Sequence, residues 1–378
     1  MKRTEVKKSD MPVKVLVNFC RIVLGLTFMF SGIVKAIDPM GTQIKFSDYL
    51  YAFGMGGAII DSTLLILACI LIGIEILIGS YLVVGAFAKG SSFLALLIMA
   101  VFTPFTLYLA IENPVEDCGC FGDAVILTNW QTFIKNVFLF ALAVFVFIKR
   151  KLIVPFMNVK RQWIVTVFMV AISVRFMVGN VTGLPVLDFR PYKIGTNLRQ
   201  EILESRNMLM HDFSIMDDDM NDFTAEILGN PGYTFLLVSP HVEDASEDNL
   251  DLIDDVFDYC EHWGYPLIGL TSSGNDAVMQ WTENAGAEIR FMFCDEIPLQ
   301  TMVRSNPGLM LIKDGVLINK WSDDNIPSDA QLSAPLDEIP VGRIPDPDPM
   351  RTPWAVLLLF AAPILLILLI DGLKELIQ

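Results

Sequence analysis

The stretch STLLILACILIGIEILIGSYLVVGA, residues 62–86, contains a single charged side chain, Glu75, among apolar and small residues. An apolar helix of this length crosses the hydrocarbon core of a bilayer, which is roughly 30 Å thick. Similar apolar runs lie at about 15–36, 92–111, 131–148, 162–181 and 354–371. The whole chain is 53% hydrophobic over 378 residues, which is high for a soluble protein. We therefore predict a multi-pass α-helical membrane protein.

Charge is distributed unevenly between the apolar runs and the one long segment that separates the last two. Residues 182–353 contain 10 Lys and Arg against 31 Asp and Glu, a charge of about −21, so the remainder of the chain carries about +5. The acidity therefore belongs to one water-soluble domain. A clustered basic surface of the kind that binds nucleic acid does not occur, and we expect no nucleic-acid partner.

The basic residues of the membrane part occur in alternate loops, namely residues 1–14, Lys89 and 149–161. By the positive-inside rule, this side faces the cytoplasm. The termini, 1–14 and 372–378, are then cytoplasmic tails, and residues 182–353 are extracytoplasmic. This arrangement is typical of a protein of the bacterial cytoplasmic (inner) membrane whose soluble domain faces the periplasm, with the lipid bilayer as its first partner.

Within the acidic segment, residues 213–328 have the pattern of an α/β domain. Strands are predicted at 233–239, 265–271, 289–294, 309–313 and 316–321, and helices at 249–263, 276–284 and 299–303. Lys313-Asp314-Gly315 predicts a tight hairpin between the last two strands. We interpret 182–212 as a juxtamembrane connector and the proline-rich 329–353 as an extended tether to the last span.

Residues 15–150 contain a characteristic set of residues in a fixed order. They are Arg21, Leu24-Gly25, Phe30-Ser31-Gly32, Lys35, Asp38-Pro39, Glu75 and, above all, Asp117-Cys118-Gly119-Cys120-Phe121-Gly122-Asp123. On these residues, the segment resembles the DoxX/MauE family of four-helix, redox-associated membrane proteins, with 151–181 as an additional fifth span. The resemblance implies a four-helix bundle, with spans five and six outside it.

Residues 213–328 resemble a thioredoxin-like domain in their strand and helix order. The resemblance implies that Pro307, in Ser305-Asn306-Pro307-Gly308, is the family's cis-proline. Redox-active relatives carry Cys-x-x-Cys after the first central strand, whereas here that strand runs into Ser239-Pro240-His241. The domain therefore lacks a dithiol at the usual position, and we expect Cys260 and Cys294 to be buried small hydrophobic residues.

Cys118 and Cys120 are the best candidates for chemistry. Glycine between them permits a sharp backbone conformation, and two cysteines at this spacing can approach disulfide distance. A strained bridge would be easily reduced, which suits a redox pair, but the flanking Asp117 and Asp123 should raise the thiol pKa and slow attack. Redox exchange, a static structural disulfide, and metal binding or free thiols remain alternatives, with no metal site predicted from ligand spacing.

Charged groups inside the spans are the second feature. A carboxylate in hydrocarbon needs a partner or a role, and the helical depths of Arg21 and Glu75 are similar. We predict an Arg21–Glu75 ion pair between the first two spans, either structural or assisting quinone binding and proton transfer. Lys135 is expected to extend to the membrane interface and Arg175 to face the bundle.

Two functions follow from these features. In the first, the chain is a membrane redox accessory whose Cys118 and Cys120 exchange electrons with extracytoplasmic thiols or a membrane carrier. If it is an enzyme, the chemistry is thiol/disulfide or quinone-linked oxidoreduction, with a membrane quinone as the one candidate cofactor. In the second, it is a non-catalytic envelope assembly or scaffold protein. Its acidic domain would then bind a client protein or a membrane-complex subunit.

Overall fold

The computed structural model describes residues 11–115, 117–204, 210 and 213–377, with side chains to residue 367 and at 369. Most of the predicted N-terminal tail and the side chains of the C-terminal tail lie outside the described residues. The described chain separates into two compact units. One is Val181–Pro349, and the other comprises the residues before and after it.

The helical unit is built from apolar helices. They are α1 (Met11–Ile37), α2 (Pro39–Ala52), α3 (Asp61–Val84), α4 (Ala88–Glu112), α5 (Asn129–Ile148), α6 (Val159–Thr182) and α11 (Pro353–Ile377). Among the described residues, α1 and α3 to α6 are long and apolar enough to cross a membrane. Five of the predicted spans are therefore confirmed. The sixth stays a prediction, because the described apolar part of α11 is the shorter stretch Pro353–Ile367.

Helices α1 and α3 pack antiparallel with their backbones in close approach. A Cβ added at Gly79 would lie 2.5 Å from the Met29 nitrogen, and one at Gly25 would lie 2.9 Å from the Gly79 carbonyl oxygen. A Cβ at Gly32 would meet the Ile76 side chain at 2.6 Å. These glycines set the register of the two helices, because any side chain at those positions would force the backbones apart.

Helix α2 lies between the first two spans, at residues for which the apolar pattern predicted no element. Asp38 caps α2, its carboxylate accepting a hydrogen bond from the Gly41 amide at 2.9 Å, and Pro39 occupies the first helical turn. Asp-Pro is a strong helix-start signal, since Pro lacks the amide hydrogen that a first turn leaves unused. The pattern missed α2 because this helix has little of the amphipathic periodicity from which helices are recognised.

The second unit is a mixed α/β domain. Its strands are β1 (Tyr233–Val238), β2 (Leu267–Thr271), β3 (Arg290–Phe293), β4 (Gly308–Lys313) and β5 (Val316–Ser322). They form one sheet of order β3-β2-β1-β4-β5, in which β1, β2 and β3 are parallel and β4 and β5 are antiparallel to their neighbours. The helices are α7 (Thr224–Gly229), α8 (Leu250–Trp263), α9 (Asn275–Ala285) and α10 (Glu296–Met302).

The predicted elements of this unit are confirmed within a few residues at each end. Asp314 and Gly315 have φ of 51° and 80°, as a two-residue hairpin with the predicted tight turn requires. The Asn306–Pro307 bond is cis. Alternate residues of β1 fill separate clusters, Phe235 with Leu237 and Leu236 with Val238, so the central strand is buried on both faces.

The predicted boundaries of this domain, 213–328, are too narrow. In the predicted connector, Leu198 is buried and its amide donates to the Gly315 carbonyl at 2.8 Å. In the predicted tether, Leu336 is fully buried, and Tyr259 donates to the Ala334 carbonyl at 2.7 Å. Both segments complete the core through isolated apolar residues. Such residues give no periodic signal, so the sequence pattern missed them.

Candidate functional site

Cys118, Gly119 and Cys120 lie in the loop between α4 and α5. Gly119 has φ of 58°, in the left-handed region that favours glycine. The Asp117 carboxylate accepts from the Gly119 amide at 2.8 Å, and the Cys120 amide donates to the Cys118 sulfur at 3.3 Å. Both cysteines are thiols in this structure. The turn therefore brings the two cysteines into direct contact, as the glycine between them suggested.

The base of this loop is held by amide side chains at the helix ends. Asn129, in the first turn of α5, donates to the Asn113 side chain and to the Val115 carbonyl, each at 2.8 Å. Asp117 and Thr128 form an antiparallel bridge. Since Asn113 ends α4 and Asn129 begins α5, these bonds fix the loop to the two helices from which it emerges.

Helix α2 covers the cysteine loop. Its Tyr49 hydroxyl donates to the Cys118 carbonyl at 2.5 Å, and its Lys45 ammonium lies 3.4 Å from the Asp117 carboxylate. The Lys45 stem also packs against Gly119, where an added Cβ would lie 3.0 Å from Cγ. Cys118 is consequently only 9% exposed. The loop is thus a covered site and not an open one.

The two thiols differ in acidity. A hydrogen bond with the Cys120 thiol, helped by the positive charge of Lys135, outweighs burial and lowers the pKa of Cys118 to about 6. The same hydrogen bond and burial raise the pKa of Cys120 well above its ordinary value. At neutral pH, Cys118 is therefore the thiolate and Cys120 the thiol.

This result corrects the expectation that the flanking carboxylates raise both pKa values. The Asp117 carboxylate turns toward the Gly119 amide and the Lys45 ammonium. Its charge is largely compensated there, so the contacts between the two thiols decide their acidity.

A buried ion pair lies next to the cysteine loop. The Lys35 ammonium, on α1, is 2.7 Å from one Glu75 oxygen and 3.0 Å from the other, and both side chains are about 94% buried. The Ser31 hydroxyl lies 2.9 Å from the Glu75 carboxylate and 2.8 Å from the Cys120 carbonyl oxygen. Ser31 and Lys35 are one helical turn apart and share a face of α1.

The predicted Arg21–Glu75 ion pair is wrong. The Arg21 guanidinium donates to the carbonyls of Val83 at 2.8 Å and Val154 at 2.9 Å, and to the Asn18 side chain. The register set by the α1–α3 glycines places Arg21 opposite the end of α3, about 12 Å along the helix from Glu75. There it binds carbonyls that the helix end leaves without an intrahelical partner.

A cavity of about 50 Å³ lies among α1, α3, α4 and α5, below the cysteine loop. Its polar lining includes Ser31, Lys35, Glu75, Cys120 and Lys135. Its apolar lining includes Phe28, Ile98, Met99, Phe102, Phe121 and Leu139. The space is large enough for a few water molecules in contact with polar groups. Cys120 is therefore accessible from inside the helical unit.

The two other charged residues of the spans behave differently from the predictions. Lys135 lines this cavity with its ammonium 4.0 Å from the centre of the Phe121 ring, a cation–π contact, and does not simply extend to the interface. Arg175 is exposed on α6 and does not face the bundle. Apolar patterns do not show which side of a span a single cation occupies.

In the α/β unit, the position after β1 carries no thiol. The Ser239 hydroxyl lies 2.6 Å from the Asn306 side-chain oxygen, and the Asn306 amide group donates to the His241 carbonyl at 2.7 Å. The loop after β1 is thus fixed to the loop that contains Pro307. Cys260 and Cys294 are buried in different clusters, and burial raises the pKa of each to about 12. Neither is a reactive thiol.

No cluster of three or more His, Cys, Asp or Glu suited to a metal ion occurs in the part of the chain that the structure describes. Sequence reasoning missed Lys35, Lys45, Tyr49 and Ser31 as site residues. For Lys35 a signal existed: Arg21, Phe28 and Lys35 repeat at intervals of seven along one face of α1, so either cation could have faced Glu75.

The helical unit and its site define a multi-pass membrane protein with a covered Cys-Gly-Cys loop at one end of its helices and a separate α/β unit. Residues 13–149 match the family described as methylamine utilisation protein MauE. The chain is also 28% identical over 148 residues to Protein TlpB of Flavobacterium psychrophilum. The aligned stretch covers 38% of this chain and 38% of that relative. No solved structure matches the chain.

Proposed function

We propose that the chain is a membrane-embedded thiol–disulfide exchange protein that uses Cys118 and Cys120. The observation that carries the proposal is the contact of two free cysteines within one loop, where the Cys120 amide lies 3.3 Å from the Cys118 sulfur and Cys120 also lines a cavity. Such a pair contains a nucleophile and a resolving thiol in contact. A purely structural disulfide needs neither the low pKa of Cys118 nor a cavity that reaches Cys120.

Exchange proceeds through two successive substitutions at sulfur. The Cys118 thiolate attacks one sulfur of a client disulfide, whose S–S bond breaks and whose second sulfur leaves as a thiolate and takes up a proton. Cys120 then loses its proton and attacks the Cys118 sulfur, releasing the first client sulfur. The client gains two electrons, and the Cys118–Cys120 disulfide forms. The reverse sequence oxidises a client dithiol.

A membrane quinone is the second candidate exchange partner. It would take two electrons and two protons from the dithiol, giving a quinol and the Cys118–Cys120 disulfide. This candidate rests on the position of Cys120, which lines the cavity among the membrane-spanning helices together with apolar side chains. The cavity would have to widen to admit a quinone ring, because its present volume holds only a few water molecules. The carrier would approach from the bilayer and the protein client from the aqueous side.

The α/β unit is proposed to dock the client and not to react with it. Its sheet order supports a thioredoxin-like fold, and its two cysteines are buried. The alternation of basic loops supports an extracytoplasmic position for this unit and the cysteine loop, in a bacterial inner membrane. The strong acidity of residues 182–353 supports the second candidate function, which is that of an assembly factor binding a basic partner.

The test is the redox state of Cys118 and Cys120 in native membranes, measured by differential alkylation and mass spectrometry before and after a mild thiol reductant. We expect a disulfide that is readily reduced and forms again when a client disulfide or a quinone is supplied. Cys69, a third cysteine outside the loop, is the internal control and should not change. A pair that stays oxidised in reductant, or is never oxidised, would favour the assembly function.

A further inference from the structure

The buried Lys35–Glu75 pair is placed where the exchange reaction needs it. An ion pair inside apolar helices is costly unless its charges are well compensated, and a pure packing role would be met as well by apolar residues. Here the pair is connected through the Ser31 hydroxyl to the backbone of Cys120. Lys35, Glu75 and Cys120 also line the same cavity.

The demanding step of the exchange is the ionisation of Cys120. To close the disulfide, this thiol must lose its proton and become a nucleophile. The Cys120 side chain is half-buried. The Cys118 sulfur, with which it otherwise forms a hydrogen bond, is at that moment bonded to the client. A new negative charge at this place is unfavourable unless a positive charge faces it and the proton has a nearby acceptor.

We propose that Glu75 accepts the proton of Cys120 and that Lys35, released from its ion pair, becomes the counter-charge of the Cys120 thiolate. Before the step, Lys35 and Glu75 are charged and Cys120 is neutral. After it, Lys35 and Cys120 are charged and Glu75 is neutral. The net charge of the three groups stays the same, so no uncompensated charge is created among the apolar helices.

The proton has a short route between the two groups. The Ser31 hydroxyl already lies against both the Glu75 carboxylate and the Cys120 carbonyl, and the cavity has room for water beside them. A water molecule in this cavity carries the proton from the Cys120 thiol to the Glu75 carboxylate. This inference rests on the proposed thiol exchange and assigns to its site a base and a counter-ion.

Other charged and titratable groups face the site and must be held constant in any test. Helix α5 contributes Lys135, over the Phe121 ring, and α2 contributes Tyr49 and the Lys45 that pairs with Asp117. Cys118 is the remaining group in the loop. The cavity lining from α4 is apolar, consisting of Ile98, Met99 and Phe102.

The experiment measures the pH dependence of Cys120 alkylation in the purified full-length protein, in a Cys118→Ser background, where no client is required. Lys35→Met should move the midpoint of the profile upward by about one pH unit, a roughly tenfold slower reaction below the midpoint. Glu75→Gln should move it downward, because Lys35 then faces Cys120 without a competing carboxylate. The matched control is Lys89→Met, which should leave the midpoint unchanged. Lys89 is exposed and lies at the start of α4, whereas the cysteine loop follows the end of that helix.

Opposite shifts are expected because the two charges act on the Cys120 thiol with opposite signs, whereas a pair without electrostatic contact with this thiol would shift neither midpoint. Shifts in the same direction, or no shift in either variant, would overturn the proposal. If Lys35→Met fails to fold, the double variant Lys35→Met/Glu75→Gln removes both charges together. Its midpoint should lie above that of Glu75→Gln alone, and a lower or equal value would also overturn the proposal. If the midpoints shift as expected but Cys118 and Cys120 show no exchange in native membranes, the exchange function is rejected, while the electrostatic coupling of Lys35 and Glu75 to Cys120 stands.

Discussion

The Tyr49 hydroxyl donates a hydrogen bond to the carbonyl oxygen of Cys118, 2.5 Å away, and so joins α2 to the cysteine loop. Any client that reacts with Cys118 must reach a sulfur that is covered by this helix. Access to the loop is therefore coupled to the strength of the contacts that α2 makes with it.

Tyr49→Phe should increase the rate at which a membrane-impermeant alkylating reagent modifies Cys118. The lost hydrogen bond contributes about 1 kcal/mol, which corresponds to about a fivefold increase in the open population. Tyr51→Phe is the matched control, since Tyr51 lies on the same helix and is 68% exposed. Equal rates in the wild type and Tyr49→Phe would show that α2 does not limit access.

The low pKa of Cys118 predicts a specific pH profile. In the reduced protein, alkylation of Cys118 should fall as the pH drops through about 6, because the reactive thiolate is lost below the pKa. Cys120→Ala removes the hydrogen bond that is the main cause of the low pKa and should shift the midpoint upward. Rates are measured by mass spectrometry from pH 5 to pH 9. A midpoint that Cys120→Ala leaves in place would contradict the assigned cause.

Gly119→Ala should destabilise the loop. Gly119 has φ of 58°, and a Cβ there would lie 3.0 Å from the Lys45 side chain. We expect a cost of about 1–2 kcal/mol, seen as a lower thermal midpoint of the detergent-solubilised protein. Gly73→Ala is the control, because a Cβ on Gly73 meets nothing within 4 Å. It should be neutral or slightly stabilising, since alanine favours the helix.

Arg21→Met should destabilise the helical unit without changing the chemistry of the cysteines. The substitution leaves the carbonyls at the end of α3 without their donor, at about 1–3 kcal/mol for each buried group. The thermal midpoint should fall, while the alkylation profile of Cys120 should match that of wild type. Arg175→Met removes an exposed arginine from α6 and should change neither quantity. A shifted profile in Arg21→Met would restore a link between Arg21 and the site.

Leu336→Ala tests whether residues 329–343 belong to the α/β unit. Leu336 is fully buried, so its truncation should cost about 2–5 kcal/mol and increase the rate of limited proteolysis within this unit. Ile344→Ala provides the comparison, because Ile344 is 52% exposed and its truncation should have little effect. Similar proteolysis of both variants would support the tether that the prolines suggested.

Much of the architecture was predictable from sequence because it depends on local signals. The apolar runs gave five spans, and alternating patterns gave every strand of the sheet within a few residues. Asp314-Gly315 predicted its hairpin because only residues that tolerate positive φ form that turn. Helix α2 and the buried segments around Leu198 and Leu336 were missed, since they carry few apolar residues at regular intervals.

The sequence by itself determined that this is a multi-pass membrane protein with one acidic α/β unit, and it indicated that Cys118 and Cys120 can approach each other across Gly119. Only the tertiary structure decided that Lys35, not Arg21, pairs with Glu75, that Tyr49 covers Cys118, and that the two thiols differ in acidity. The physical reason is that hydropathy and turn preference are properties of single segments. The partner of a buried charge depends instead on the register between helices, which here is set by the close contact of Gly25 with Gly79.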